Sequence, residues 1–285
     1  MVRFFVNKHE LAYTIGKVRG ETMEKEKCSK IEEAAKAWTV EAAELLQKSF
    51  ENTLTITYKS HIADLVTNMD KNIEKFFIEK IQKTFPEHRV LGEEGYGDDI
   101  QDKSGIIWII DPIDGTTNFI HQQSNFAISI GIYENGLGIM GLIYDVGSKN
   151  LYFAKDGEGA FLNDLKLPKL DKATLNEAVI GVNATWVGPN KRINHENVQE
   201  IVRKSRGTRS YGSAAIELAY VASGKLDAYM TMRLSPWDFA AGLILLNEVG
   251  GLVTNTEGQP IKLLEQNSIL AAKPGLHEEM LKHLN

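Results

Sequence analysis

Asp111 and Asp114 stand three residues apart where an apolar run ends, with Pro112 between them and Gly115, Thr116 and Thr117 behind. The run itself, Ile106 to Ile110, reads as a strand buried on both faces. Pro112 fixes φ and removes a donor, while Gly115 permits a close backbone approach. The plainest reading is a turn in which Asp114 caps a helix beginning near Thr116. Further acids also sit at element ends. Glu93-Glu94 follows a short extended segment, and Asp238 lies in the first turn of an apolar helix opened by Pro236-Trp237. Taken singly, Asp238 complements a helix dipole and Asp70 belongs to a solvated helix face.

Taken together they predict a site. If Glu93, Asp111, Asp114 and Asp238 converge, they cannot all stay ionised unless cations join them or their pKa values rise. A donor set made only of oxygen selects a hard divalent ion, Mg²⁺ first. One carboxylate shared by two ions gives a two-metal site with the ions about 3.5–4 Å apart, suited to hydrolysis of a phosphate ester. The N–H groups of Gly115 and Thr116, at a helix start, would face the phosphate. His61, His88, His121 and His195 show no metal-ligand spacing and read as surface or loop residues.

The elements that must position these acids follow from periodicity. Helical spacing runs from Lys30 to Phe50 and from about Thr67 to Phe85, ahead of Pro86. Strands are predicted at Leu54–Tyr58, Arg89–Gly92 and Ile106–Ile110. A hairpin, Phe126–Tyr133 and Gly138–Tyr144, turns at Asn135-Gly136, and Leu151–Ala154 and Ala160–Leu162 continue the meander. This half reads as two helices on an antiparallel sheet. After a loop-like run near Lys166–Thr174, strands and helices alternate: a strand at Ala178–Val182, a helix at Glu196–Ser205 and a short strand at Arg209–Tyr211. Then come a helix at Ser213–Ala222, a strand at Leu226–Met232, a helix at Phe239–Val249, strands at Leu252–Thr254 and Ser268–Ala271, and a helix from Leu276. The fold class is therefore α+β followed by α/β, divided as 29–170 and 171–285. Residues 1–28 form an N-terminal extension with no assigned function. Arg19-Gly20-Glu21 could be encoded by a ribosome-binding-like stretch before Met23, which would leave residues 1–22 upstream of the native start.

Composition narrows the class. The 285 residues are 43% apolar and 25% charged, as in a soluble globular enzyme, and the net charge of −6 disfavours nucleic acid or an anionic membrane as partner. A single cysteine, Cys28, excludes an internal disulfide and a multi-thiolate zinc site, and fits a reducing cytoplasm. No apolar run approaches the roughly 20 residues of a membrane span.

Five motifs carry a resemblance: Asp64-Leu-Val-Thr67-x-x-Asp70, Glu93-Glu94, Trp108-x-x-Asp111-Pro-Ile-Asp-Gly-Thr-Thr-Asn-Phe119, Gly212-Ser-Ala-Ala215 and Trp237-Asp238-x-Ala240-Ala-Gly242. Together they resemble the inositol monophosphatase family of Mg²⁺-dependent, lithium-sensitive phosphatases, which includes fructose-1,6-bisphosphatases. The resemblance covers Ile31 to about Leu284. It implies a layered α/β/α/β/α sandwich, usually a homodimer, and a cytoplasmic enzyme acting on a small phosphate ester. One ion would take Glu93, Asp111 and the Ile113 carbonyl. A second would take Asp111, Asp114 and Asp238, and a weaker third would lean on Glu93. Mn²⁺ would substitute, and Li⁺ and Ca²⁺ would inhibit. Asp70 and Thr116 would orient and deprotonate the attacking water, with Glu93 beside them. Asp114, Gly115 and Thr116 would grip the phosphate, while Gly212, Ser213, Ala214 and Asp238 would line the leaving-group side. Lys59 sits where the family often carries a lysine near the metals.

One position departs from the family pattern. Animal members carry a Glu seven residues before the Trp-Asp aspartate, where this chain has Thr231. Threonine cannot supply a charged acceptor for an inositol hydroxyl. Arg233 nearby could instead meet a second phosphate, its plain alternative being a solvated arginine. The expected activity is hydrolysis of inositol monophosphate or a related sugar phosphate. Fructose-1,6-bisphosphatase, NADP phosphatase and 3′,5′-bisphosphate nucleotidase are the alternatives within the superfamily. An inactive phosphate-binding scaffold is disfavoured because the ligand set is intact.

Overall fold

A computed structural model describes residues 25–51, 56–58 and 65–284. Lys59, His61 and Asp64, and the extension before residue 25, lie outside the described residues. In chain order the elements are α1 (Lys25–Ser49), β1 (Ile56–Tyr58), β2 (Leu65–Thr67), α2 (Asn68–Thr84), β3 (Arg89–Gly92), β4 (Ile106–Asp114) and α3 (Thr116–His121). A meander follows: β5 (Ala127–Glu134), β6 (Leu137–Asp145), β7 (Asn150–Lys155), β8 (Gly159–Leu162) and β9 (Leu165–Lys166). The remainder is β10 (Val179–Val182), α4 (Ala184–Val187), α5 (His195–Lys204), β11 (Gly207–Arg209), α6 (Ala214–Ala222), β12 (Ala228–Leu234), α7 (Pro236–Val249), β13 (Leu252–Thr254), β14 (Asn267–Ala272) and α8 (Leu276–Leu284). The chain forms two compact units, Met1–Ala37 and Trp38–Asn285. In the first, the opening turns of α1 carry the pairs Lys30–Glu26 and Lys36–Glu32 at i,i+4 spacing.

Two large sheets build the second unit: a seven-stranded sheet ordered β3-β4-β5-β6-β7-β8-β9 and a five-stranded sheet ordered β11-β10-β12-β14-β13. Helices α6 and α7 pack on each other and touch strands of both sheets. The opposite face of the first sheet takes α2, with Trp38 of α1 stacking near Trp108. The opposite face of the second sheet packs on α5 and α8 through Val198, Ile201 and Met280. This is the layered sandwich. It explains why β4 is apolar without alternation: Ile107 and Ile109 enter the core under α6 and α7 while Trp108 faces the other way, so both faces are dry.

Three expectations need correction. The first sheet is not wholly antiparallel, because β3 runs parallel to β4 in the register Gly92↔Ile110. The strand expected at Arg209–Tyr211 sits instead at Gly207–Arg209. His88 does lie in the loop between α2 and β3, but it is not at the surface. It is 4% exposed, stacks on Phe85 and accepts the Trp108 indole N–H on Nδ1 at 3.0 Å.

Close approach fixes α7 against the first sheet. A Cβ on Gly131 would lie 2.7 Å from the Ala240 Cβ, one on Gly141 2.6 Å from the Ala241 carbonyl oxygen, and one on Gly242 2.6 Å from Leu218 of α6. The small residues of Ala240-Ala-Gly242 are thus a packing surface, and they set how far Asp238 stands from β4. Gly141→Ala is expected to lower stability by about 1–3 kcal/mol through overpacking, read by denaturant unfolding. A wild-type midpoint would refute the contact.

Candidate metal and phosphate site

Asp111 and Asp114 come together through a departure from regular strand geometry. Side chains on a strand alternate, so Asp111 and Asp114 at i and i+3 should point to opposite faces. The pairing of β4 with β5 slips between Asp111↔Ser129 and Asp114↔Ala127, so two residues of β4 oppose one of β5. This bulge restores both aspartates to one side. The Ile113 N–H donates to Asp111 Oδ1 at 3.0 Å and braces the kink. In the second sheet, β12 slips against β14 between Thr231 and Leu234, which puts Arg233 on a second bulge.

Oxygens of Asp111, Asp114 and Asp238 all lie within 4.8 Å of one another. Glu93 enters because β3 is parallel to β4: with Gly92 beside Ile110, the next residues at that sheet end are Glu93 and Asp111. Its carboxylate is close enough to Asp111 to repel its charge and to share a hydrogen bond with it.

Asp114 does not cap α3. Gly115 occupies that N-cap position at φ 92°, and no side chain caps the helix. Asp114 Oδ2 instead accepts from the Ser213 hydroxyl and, at 2.7 Å, from the Ala215 N–H, so it serves the N-terminus of α6. Gly115 must be glycine for conformation and for space, since a Cβ would come within 3.2 Å of the Gly212 carbonyl oxygen. Asn118 ties the same corner together by donating to the Asn125 and Tyr211 carbonyls at 2.7 and 2.6 Å.

Asp70 is not on a solvated face: it is 1% exposed. Its Oδ2 accepts from the Thr67 N–H and hydroxyl at 2.7 and 2.6 Å, a capping box at the start of α2. The Thr116 hydroxyl lies 3.1 Å from both Asp70 Oδ1 and the Ile113 carbonyl, and its single proton can serve one of them at a time. Asp238 forms the matching capping box with Ser235 at the start of α7.

Of the other residues the motifs single out, Ser213 and Thr231 are buried and Gly212 is exposed. The Thr231 hydroxyl accepts the Trp186 indole N–H at 3.2 Å, so one acceptor direction is already taken. Arg233 is exposed, and its charge acts on Asp238.

Crowding shows in the ionisation of the acids. Burial first, then Glu93, Asp114 and Asp238, hold Asp111 well above the carboxylate range. Asp238 is raised likewise by burial and by Asp114. Asp114 is pushed up to about 6, burial outweighing its bonds to Ser213 and Ala215. Burial also raises Asp70, against the bonds from Thr67. Oxygen-only donors whose charges oppose one another fit a hard divalent cation.

Sequence reasoning missed Asn118, Trp186, Glu74 and Glu217. Glu74 is buried and accepts from the Glu94 and Tyr96 N–H groups. Glu217 is buried, accepts from the Tyr211 N–H at 2.7 Å and is pushed by burial to about 7. An acid on the inward stripe of an amphipathic helix was the available signal for Glu74.

The inositol monophosphatase family model matches residues 27–285. The inositol-1-monophosphatase of Bacillus subtilis (strain 168) is 56% identical over 254 residues, which is 89% of this chain and 96% of that one. A crystal structure of inositol monophosphate-bound SaIMPase-II superposes with a TM-score of 0.81 at 43% identity, covering 89% and 93% of the two chains. An IMPase/NADP phosphatase complexed with Mg²⁺ and phosphate gives 0.84 at 30% identity, covering 91% and 96%.

Raised carboxylates bind protons better in the folded state than in the unfolded one, so stability falls as pH rises through the gap. For Asp114 the loss runs from the unfolded value of 3.8 to about 6, and Asp111 and Asp238 act in the same direction. Melting temperature measured with chelator and with Mg²⁺ should therefore differ more at pH 8 than at pH 5. An equal Mg²⁺ effect at both would contradict the crowding.

Proposed function

The chain belongs to the inositol monophosphatase family, and on that premise we propose that it hydrolyses inositol monophosphate or a related sugar phosphate with Mg²⁺. It is a metal-dependent phosphoric monoester hydrolase. The observation that carries the substrate-independent part is the convergence of Asp111, Asp114 and Asp238 next to the Asp70–Thr116 pair.

In this reading Asp111, Asp114 and Asp238, with Glu93 and the Ile113 carbonyl, hold two ions, and Glu93 supports a weaker third. When bound, these ions supply an acidified water and neutralise charge on the phosphate and the leaving oxygen. Asp70 is the proton acceptor. Its Oδ2 is occupied by Thr67, and its Oδ1 meets the Thr116 hydroxyl, which relays the proton to it. The backbone of Gly115 and Thr116, at the bend after β4, faces the phosphate. Gly212, Ser213 and Ala214 border the leaving group. A cytoplasmic homodimer is part of the same proposal, supported by the family and the single cysteine. No helix among the described residues is long and apolar enough to cross a membrane.

A second substrate reading rests on Thr231 and Arg233. With the Thr231 hydroxyl engaged by Trp186 and Arg233 exposed on the adjacent bulge, a leaving group bearing another phosphate fits this edge better than a bare polyol. The relative that is also an NADP phosphatase supports including such esters.

Purified protein with Mg²⁺ should release phosphate from inositol-1-phosphate, and chelator should abolish the release. Asp111→Asn should reduce turnover by at least about 100-fold, since it removes the shared charge; survival of activity would show the ligand assignment to be wrong. Thr231→Glu should raise the kcat/KM ratio of inositol-1-phosphate over NADP. An unchanged ratio would remove Thr231 from specificity.

A further inference from the structure

Helix α2 carries two acids one turn apart on its buried face, Asp70 and Glu74. Asp70 belongs to the reaction proposed above, whereas the hydrogen bonds of Glu74 go to neither Asp111 nor Thr116. Its side chain is fully buried, and the carboxylate is spent on backbone: Oε2 accepts from the Glu94 N–H at 2.6 Å and Oε1 from the Tyr96 N–H at 2.8 Å. The strand just before this loop is shaped around the same group. A Cβ on Gly92 would run into the Glu74 carboxylate, and Gly92 does not adopt a left-handed φ, so its glycine answers to space rather than to conformation. Glu74 thus meets the chain at residue 92 and binds it at 94 and 96. Glu93 lies between these holds, with its carboxylate against Asp111.

Burying a carboxylate with only N–H partners is costly. An apolar side chain would fill the space but could not hold two N–H groups in one orientation. Carboxylates behind metal ligands commonly set affinity by orienting them.

We propose that Glu74 is a positioning residue that clamps the Gly92–Tyr96 turn and so aims the Glu93 carboxylate at Asp111, setting the affinity of the ion those two residues share. The proposal rests on the metal-dependent reading of the site. Glu74→Gln keeps the size of the side chain but turns one acceptor into an NH₂ that faces a backbone N–H.

On the full chain, calorimetric Mg²⁺ binding should weaken by about 10–100-fold in Glu74→Gln, and the Mg²⁺ concentration for half-maximal phosphate release should rise by the same factor. At saturating Mg²⁺, kcat should recover to within about threefold of wild type. A merely structural role would lower kcat and the melting temperature while leaving the Mg²⁺ dependence in place. Gly92→Ala presses on the same carboxylate from the strand and should shift the dependence in the same direction. Wild-type Mg²⁺ affinity in either folded variant overturns the proposal. Asp111→Asn, measured alongside, separates the two claims. If it binds Mg²⁺ as wild type does, the metal site is misplaced and the proposal falls with it. If it loses binding while Glu74→Gln keeps it, only the role of Glu74 falls.

Discussion

The mutual repulsion of carboxylates in a dry place is the constraint on which the rest of this structure depends. Asp111, Asp114 and Asp238 approach one another at the end of a strand with no exposed face, and Glu93 adds a further charge. The protein offsets part of this with helix termini. Asp70 caps α2, Asp114 accepts from the start of α6, and Asp238 caps α7. Each acid thereby gains backbone N–H donors and the positive end of a helix dipole. These bonds hold the side chains in place without fully restoring ordinary acidity, because burial still dominates at Asp70, Asp114 and Asp238. Capping and function are therefore not competing accounts of these residues. The cap is what holds each acid in one orientation.

Convergence at this precision depends on irregularity. A regular β4 would send Asp111 and Asp114 to opposite faces, and the slip against β5 brings them together. A regular antiparallel edge would put Glu93 at the far end of the sheet, whereas the parallel β3 brings it alongside Asp111. Helix α7 then reaches the same point by lying unusually close to β5 and β6, an approach that Gly131 and Gly141 permit. The corner at Gly115, Asn118 and Gly212 joins the two halves of the chain, and through Ser213 it couples the start of α6 to Asp114.

Much of this was legible in the residues. The unbroken apolar run Ile106–Ile110 announced a strand covered on both faces, and the acids at element ends announced where carboxylates would converge. Helix periods gave α1, α2 and α7, and Asn135-Gly136 gave the β5–β6 hairpin. Periodicity has no means of reporting a partner strand, so the direction of β3 was misjudged. It also cannot distinguish an acid on a wet face from one folded inward, so periodicity alone leaves a solvated face open as the plain reading of Asp70. The burial of the loop residue His88 is illegible in the same way, since it depends on Phe85 and Trp108 packing across it.

The sequence by itself determined the donor chemistry: oxygen donors only, with a glycine and threonine bend beside them. These are properties of residue types and local spacing, which the chain carries wherever it goes. Tertiary structure alone decided that Asp114 serves α6 rather than α3, that Glu93 stands beside Asp111, and that Thr231 is already engaged by Trp186. Each of those outcomes joins segments far apart in the chain. Their geometry follows from strand direction, bulges and helix approach, and local sequence encodes none of these until the layers pack.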